Sequence, residues 1–206
     1  MAVALIDYNM GNLKSVEKAL EFIGAKVRIA EKPRDLADCS CCILPGVGNF
    51  GDGMENLRSS GFDRALPEFI SGGGFFFGIC LGMQMLLESS EEAPGVPGLG
   101  VFPGRVMRFP AGTDKVPHMG WNSVRFRPGT PMGAGEPKEE FYYFVHSFYV
   151  PLHPEWTAAE CEYILPFSAA IGSGHWFATQ FHPEKSQKAG LRLLRRFLVT
   201  AGETAE

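Results

Sequence analysis

Residues 75–82, Phe75-Phe76-Phe77-Gly78-Ile79-Cys80-Leu81-Gly82, decide the fold. The run from Phe75 to Ile79 has no polar member, which suits a central parallel strand buried on both faces. The segment 81–87 has helical periodicity and is expected to turn helical at once, so Cys80 falls on the junction. Glycines two positions before and after it give the cysteine counterpart of the Gly-x-Ser-x-Gly nucleophile elbow, where a sharp strand-to-helix turn tolerates only small flanking residues. The turn raises the thiol into solvent at a helix N-terminus, where the macrodipole and free N–H groups favour thiolate. It also offers the Leu81 backbone N–H to a developing oxyanion.

Working outward, short apolar runs alternate with helical patterns, the signature of a mainly parallel sheet covered by helices. Strands are expected at 2–7, 26–30 and 41–44. Leu13, Val16, Leu20 and Ile23 define a helix over 11–23 that stops at Gly24. The third strand runs into Pro45-Gly46-Val47-Gly48, whose glycines let backbone approach a ligand. Helices follow from about Gly51 and over 62–70. From 94 to 137 the chain is rich in Gly and Pro, with strand-like pieces at 105–109 and 121–126. Strands recur at 141–150 and 176–181, before an amphipathic helix over 185–198 with Leu191, Leu194 and Leu198 on one face. The fold class is therefore α/β: three layers, a mainly parallel central sheet, helices on both faces and antiparallel additions, in a single domain spanning 1–206.

The 206 residues are 45% hydrophobic and include 17 Phe, enough for one substantial core. A net charge of -4 and the lack of a basic run beyond residues 192–196 exclude a nucleic-acid footprint. No segment approaches a membrane span and the N-terminus has no signal-peptide pattern, so a cytoplasmic protein with no membrane partner is expected. Five cysteines, with Cys39, Cys41 and Cys42 crowded together, fit no disulfide framework, and no second ligand pair with zinc spacing follows them. They read as small apolar residues around a buried strand, with no metal and no cofactor.

A second segment, Gln180-Phe181-His182-Pro183-Glu184, follows a strand-like run and precedes a helix. In extended backbone His182 and Glu184 would share one face while Pro183 points away. That suits a base and its orienter: His182 takes the thiol proton, and Glu184 bonds the far ring nitrogen and sets the tautomer. The other histidines, His118, His146, His153 and His175, read as structural or surface groups.

These residues resemble the class I (triad) glutamine amidotransferases through Pro45-Gly46-Val47-Gly48, the block from Gly78 to Gln84, and His182-Pro183-Glu184, in the family's order. Within it the chain is most similar to the glutaminase subunits of imidazole glycerol phosphate synthases, through Asp7-Tyr8-Asn9-Met10-Gly11-Asn12, Val116-Pro117-His118-Met119-Gly120-Trp121-Asn122 and Tyr143-Phe144-Val145-His146-Ser147. The resemblance implies hydrolysis of L-glutamine through a Cys80 thioester, with ammonia passed to a (β/α)8-barrel cyclase subunit in histidine biosynthesis. It implies an oxyanion hole from the backbone of Val47, Gly48 and Leu81, and Gln84 with Glu92 holding the substrate's amino-acid portion. It implies docking on the cyclase by Asn9, Asn12, His118, Met119, Trp121 and Lys185. The glycine and phenylalanine run at 72–77 departs from the mixed aliphatic approach expected ahead of the elbow.

Other readings are a glutaminase for pyridoxal phosphate, GMP or aminobenzoate synthesis, a non-catalytic regulatory subunit, and a cysteine peptidase. The block from His118 to Asn122 speaks against the first, the intact Cys80, His182 and Glu184 against the second, and hydrolysis of glutamine rather than peptide would dismiss the third.

Overall fold

The computed structural model describes residues 2–112, 114–133 and 137–203. In chain order the elements are β1 (Val3–Ile6), α1 (Leu13–Phe22), β2 (Val27–Ala30), β3 (Cys41–Leu44), α2 (Phe50–Ser60), α3 (Phe62–Ser71), β4 (Phe75–Ile79), α4 (Leu81–Gln84), β5 (Leu87–Ser90), β6 (Phe102–Arg108), β7 (His118–Phe126), β8 (Glu140–His146), β9 (Phe148–Tyr149), β10 (Thr157–Tyr163), β11 (Leu165–Ser173), β12 (Trp176–Thr179) and α5 (Gln187–Thr200). A nine-stranded sheet runs β2-β1-β3-β4-β12-β11-β10-β7-β8. Its first five strands are parallel and the remaining four antiparallel. A smaller sheet, β5-β6-β9, stands apart.

Alternation along the parallel strands builds the layers. Val3, Leu5, Cys41, Ile43, Phe77 and Ile79 bury into a core with Val16 and Leu20 of α1 and Leu193, Leu194 and Phe197 of α5. Their neighbours Ala4, Ile6, Cys42, Leu44 and Phe76 bury on the opposite face against Met54 and Leu57 of α2 and Phe62, Leu66 and Ile70 of α3. Period two sends successive side chains to opposite faces, so an apolar run is required wherever both faces are covered. Cys41 and Cys42 therefore face different cores, and no metal-binding cluster exists among the described residues.

The structure corrects the sequence reading at several elements. The helix after Cys80 ends at Gln84 rather than near Leu87. Met85, Leu86 and Leu87 are all buried, so no polar face is left for a longer helix, and backbone bonds from Leu99 to Met85 and from Phe102 to Leu86 draw this stretch toward the smaller sheet. The strand expected over 141–150 is broken after His146 into β8 and β9, which belong to different sheets. The hairpin β10–β11 has no counterpart in the expectation. It turns at Ile164, a β-branched residue at φ 59°, where glycine would have been the signal.

Candidate active site

β4 and β12 are parallel neighbours in the middle of the sheet, with Ala178 opposite Gly78 and Thr179 opposite Ile79. Both chemical segments leave from their C-terminal ends, where ligands of open α/β sheets bind. Cys80 is at φ 53° and ψ -106°, a strained conformation for a residue with a side chain, and its N–H donates to Thr179 O at 2.7 Å. The glycines expected around it are required. A Cβ on Gly82 would lie 2.2 Å from Leu44 O, and one on Gly78 would lie 2.9 Å from Gly82 O.

After β12 the chain reaches His182, whose N–H is held by Tyr143 O at 2.9 Å. His182 is extended, but Pro183–Lys185 forms a 3-10 turn instead of continuing extended, and this turn brings Glu184 back onto the imidazole. Nδ1 donates to Glu184 Oε1 at 2.8 Å, and both side chains are only 1% exposed. A carboxylate oxygen can only accept, so Nδ1 carries the proton and Nε2 is the basic atom. Nε2 is buried and engages no nitrogen or oxygen. Burial opposes charge on this ring, but the neighbouring Cys80 sulfur and the Glu184 carboxylate outweigh it and push His182 up to about 10.

A cavity of about 310 Å³ is lined by Cys80, His182, Val47, Gly48, Leu81, Gln84 and Glu92, together with Pro117 and residues 145–148. It brings together Cys80, His182, the backbone expected to form the oxyanion hole and both expected substrate contacts, while Glu184 reaches it only through its bond to His182. The Leu81 N–H points at Gly46 O, at 3.4 Å a long bond. Gly48 is at φ 107°. Gln84 is 4% exposed; its Nε2 donates to Phe148 O at 3.1 Å and to Gln180 Oε1 at 2.9 Å. Only its Oε1 is left for a ligand. Glu92 accepts from Phe50 N at 2.8 Å, and burial raises its carboxyl above the usual range.

The expected docking residues divide. Met119 and Trp121 project to solvent from β7, 64% and 47% exposed. Asn9 and Lys185 are exposed and Asn12 is half-buried just before α1. His118 differs: its ring is buried, stacked between Phe144 and Tyr163. Its Nδ1 is 2.9 Å from His146 Nε2, and His146 Nδ1 is 2.8 Å from Phe148 O. The carbonyl must accept, so each Nδ1 donates along the chain, and Asn122 Nδ2 donates to His118 Nε2 at 3.2 Å. Burial lowers His118 to about 4 and His146 to about 3, keeping both neutral. On β7 the alternation that turns Met119 and Trp121 outward turns His118 inward.

A family model described as glutamine amidotransferase class-I matches residues 4–201. The chain belongs to the class-I glutamine amidotransferases. Proteins described as imidazole glycerol phosphate synthase subunit HisH are 48% identical over 197 residues in Moorella thermoacetica, covering 95% of this chain and 93% of that one. In Acinetobacter baylyi the figures are 47% over 199 residues, covering 95% and 97%. A solved glutamine amidotransferase superposes with a TM-score of 0.77 at 22% identity, covering 98% of this chain and all of that one. PurLQS from Thermotoga maritima gives 0.75 at 20% identity, covering 96% and 97%. These two structures establish the amidotransferase fold. Gln180 is the site residue that the sequence reading passed over. Its place in the motif signals it only indirectly, two residues before His182 on the same face of an extended segment.

Proposed function

We propose that this chain is the glutaminase subunit of an imidazole glycerol phosphate synthase, hydrolysing L-glutamine and passing ammonia to a (β/α)8-barrel cyclase subunit. The observation that carries the chemistry is the buried 2.8 Å bond between Glu184 and His182, which lines one cavity with Cys80. The extended identity to the HisH subunits carries the partner.

His182 Nε2 takes the Cys80 proton, and the thiolate attacks the amide carbon of glutamine. The resulting oxyanion is received by N–H groups of Val47, Gly48 and Leu81, each such donor being worth about 10²–10³ in rate. The carbon–nitrogen bond breaks as the imidazolium returns its proton to the leaving nitrogen, giving ammonia and the Cys80 thioester. Water, deprotonated by His182, then attacks the thioester, and the sulfur leaves as thiolate to release glutamate. Glu184 holds the ring so that Nε2 stays the reactive nitrogen. Gln84 Oε1 and the free oxygen of Glu92 are acceptors suited to the substrate's ammonium. A cavity of about 310 Å³ is at the small end of ligand sites, which favours a single amino acid over a peptide. Five free thiols fit a reducing, cytoplasmic setting.

The oxyanion backbone supports control by the partner. Leu81 N–H is directed at Gly46 O. The loop 45–48 lies under residues 8–12, since Tyr8 Oη donates to Pro45 O at 2.9 Å and a Cβ on Gly48 would lie 2.9 Å from Met10 Cε. Docking at Asn9 and Asn12 could therefore reorient this loop. Glutamate release from glutamine, measured for the chain alone and with a cyclase subunit carrying its nucleotide substrate, tests the proposal. A large increase on mixing is expected. Equal rates would remove the partner's control, and no activity in either mixture would reject this synthase in favour of other amidotransferase partners.

A further inference from the structure

We infer that Gln180 is a third side chain of the thiol site, donating a hydrogen bond to the Cys80 sulfur and thereby fixing its position and stabilising its ionised form. Gln180 Nε2 lies 3.6 Å from Cys80 Sγ and the residue is fully buried. Its backbone is pinned by a bond to Ala169 O at 2.8 Å on β11.

The orientation of its amide is set by a chain of forced donors and acceptors. Phe148 O is a carbonyl and can only accept, so the Gln84 atom 3.1 Å away is the NH₂ group. The second hydrogen of that group faces Gln180 at 2.9 Å, where only Oε1 can accept it. The Gln180 NH₂ is consequently the group turned to the sulfur. Reversing Gln180 alone would oppose two NH₂ groups, and reversing both would set Gln84 Oε1 against the Phe148 carbonyl. His146 Nδ1 holds the same carbonyl from its other side at 2.8 Å, which anchors the end of the chain. A donor aimed at sulfur is worth little to a thiol, but a hydrogen bond to a charged acceptor is about twice as strong as a neutral one. The thiolate thus has the Gln180 amide as a fixed partner, in addition to the mobile proton on His182.

The inference rests on Cys80 being the nucleophile, and the two fail separately. Alkylation of Cys80 by iodoacetamide is followed against pH by peptide mass spectrometry, which distinguishes it from the four other thiols. In Gln180→Met, which fills the space without a donor, the alkylation midpoint should move to higher pH by about one unit. Glutamine turnover in the cyclase complex should fall by ~10-fold or more with KM little changed. Gln84→Met, which leaves the Gln180 donor in place but frees its amide to turn, should shift the midpoint less and in the same direction. In the ¹⁵N-labelled wild-type chain, which avoids any folding defect, the Gln180 side-chain amide resonances should titrate with the alkylation midpoint. An unchanged midpoint in a folded Gln180→Met chain, or amide resonances indifferent to Cys80 ionisation, would overturn the role of Gln180. Glutamine hydrolysis surviving in Cys80→Ala would instead remove the nucleophile itself.

Discussion

At the residue scale the site depends on which nitrogen of a buried imidazole carries a proton. In His182 the carboxylate of Glu184 decides this. Glu184→Gln would keep the shape but could present an NH₂ group to Nδ1, forcing the proton onto Nε2 and removing the base. Glutamine turnover in the cyclase complex should drop by ~10²–10⁴ with little change in KM, as for the loss of an orienting carboxylate in other triads. His118 and His146 illustrate the opposite environment, neutral because their rings are buried and fully bonded. Both have folded-state values below the ordinary 6.5, at about 4 and about 3. The unfolded chain then takes up protons first as pH falls, so stability is intact above 6.5 and declines from 6.5 toward 4. Urea midpoints measured over that interval should fall in the wild type, and more gently in a His118→Phe, His146→Phe double variant. Equal slopes would show that carboxylates alone govern the acid limb.

At the element scale, the parts that could be read from sequence were those with a single periodicity. β3 and β4 were placed residue for residue because strands buried on both faces leave no polar alternation to misread. The elbow was legible because Gly78 and Gly82 are each demanded by backbone within 3 Å of a would-be Cβ. What escaped was structure that depends on distant partners. Leu87–Ser90 becomes a strand only because Phe102–Arg108 lies beside it, and nothing local in its sequence names that partner. The 3-10 turn at Pro183–Lys185 was likewise invisible, since its shape is dictated by α5 pressing against it. A Cβ on Gly190 would sit 1.8 Å from Pro183 O. Gly190→Ala must push the turn away, so the chain should lose about 1–3 kcal/mol in urea unfolding. Turnover should fall as well, because the same turn carries Glu184. A stable but inactive variant would locate the effect at the turn alone, whereas an active and fully stable one would show that the helix yields without disturbing the site.

At the scale of the whole molecule, Cys80 and His182 follow strands of the parallel half of the sheet, whereas Met119 and Trp121 project from the antiparallel half. Glycine-rich turns at the strand ends made the first half readable, whereas the second half depends on pairings that skip intervening strands, such as β7 with β10. β7 presents one side to solvent and the other to the core. Met119 and Trp121 project from it while His118, next to Met119 on the same strand, leads inward through His146 to the carbonyl of Phe148, which lines the cavity with Cys80. Trp121 packs edge-on to Tyr143, with ring centroids 6.2 Å apart, and Lys185 Nζ lies 6.0 Å from the centroid of that same Tyr143 ring. A half-exposed tryptophan beside an exposed methionine is the composition of an interface anchor. Trp121→Ala should therefore weaken cyclase binding by ~30-fold or more, the cost expected of an anchor residue, while urea unfolding of the free chain moves little because the indole is half outside the fold. Cys80→Ala provides the contrast in the same titration: glutamine hydrolysis disappears and cyclase affinity stays, since the thiol is buried in the cavity and takes no part in docking. Loss of affinity in Cys80→Ala, or its retention in Trp121→Ala, would mean that the partner is read through the site and not through β7.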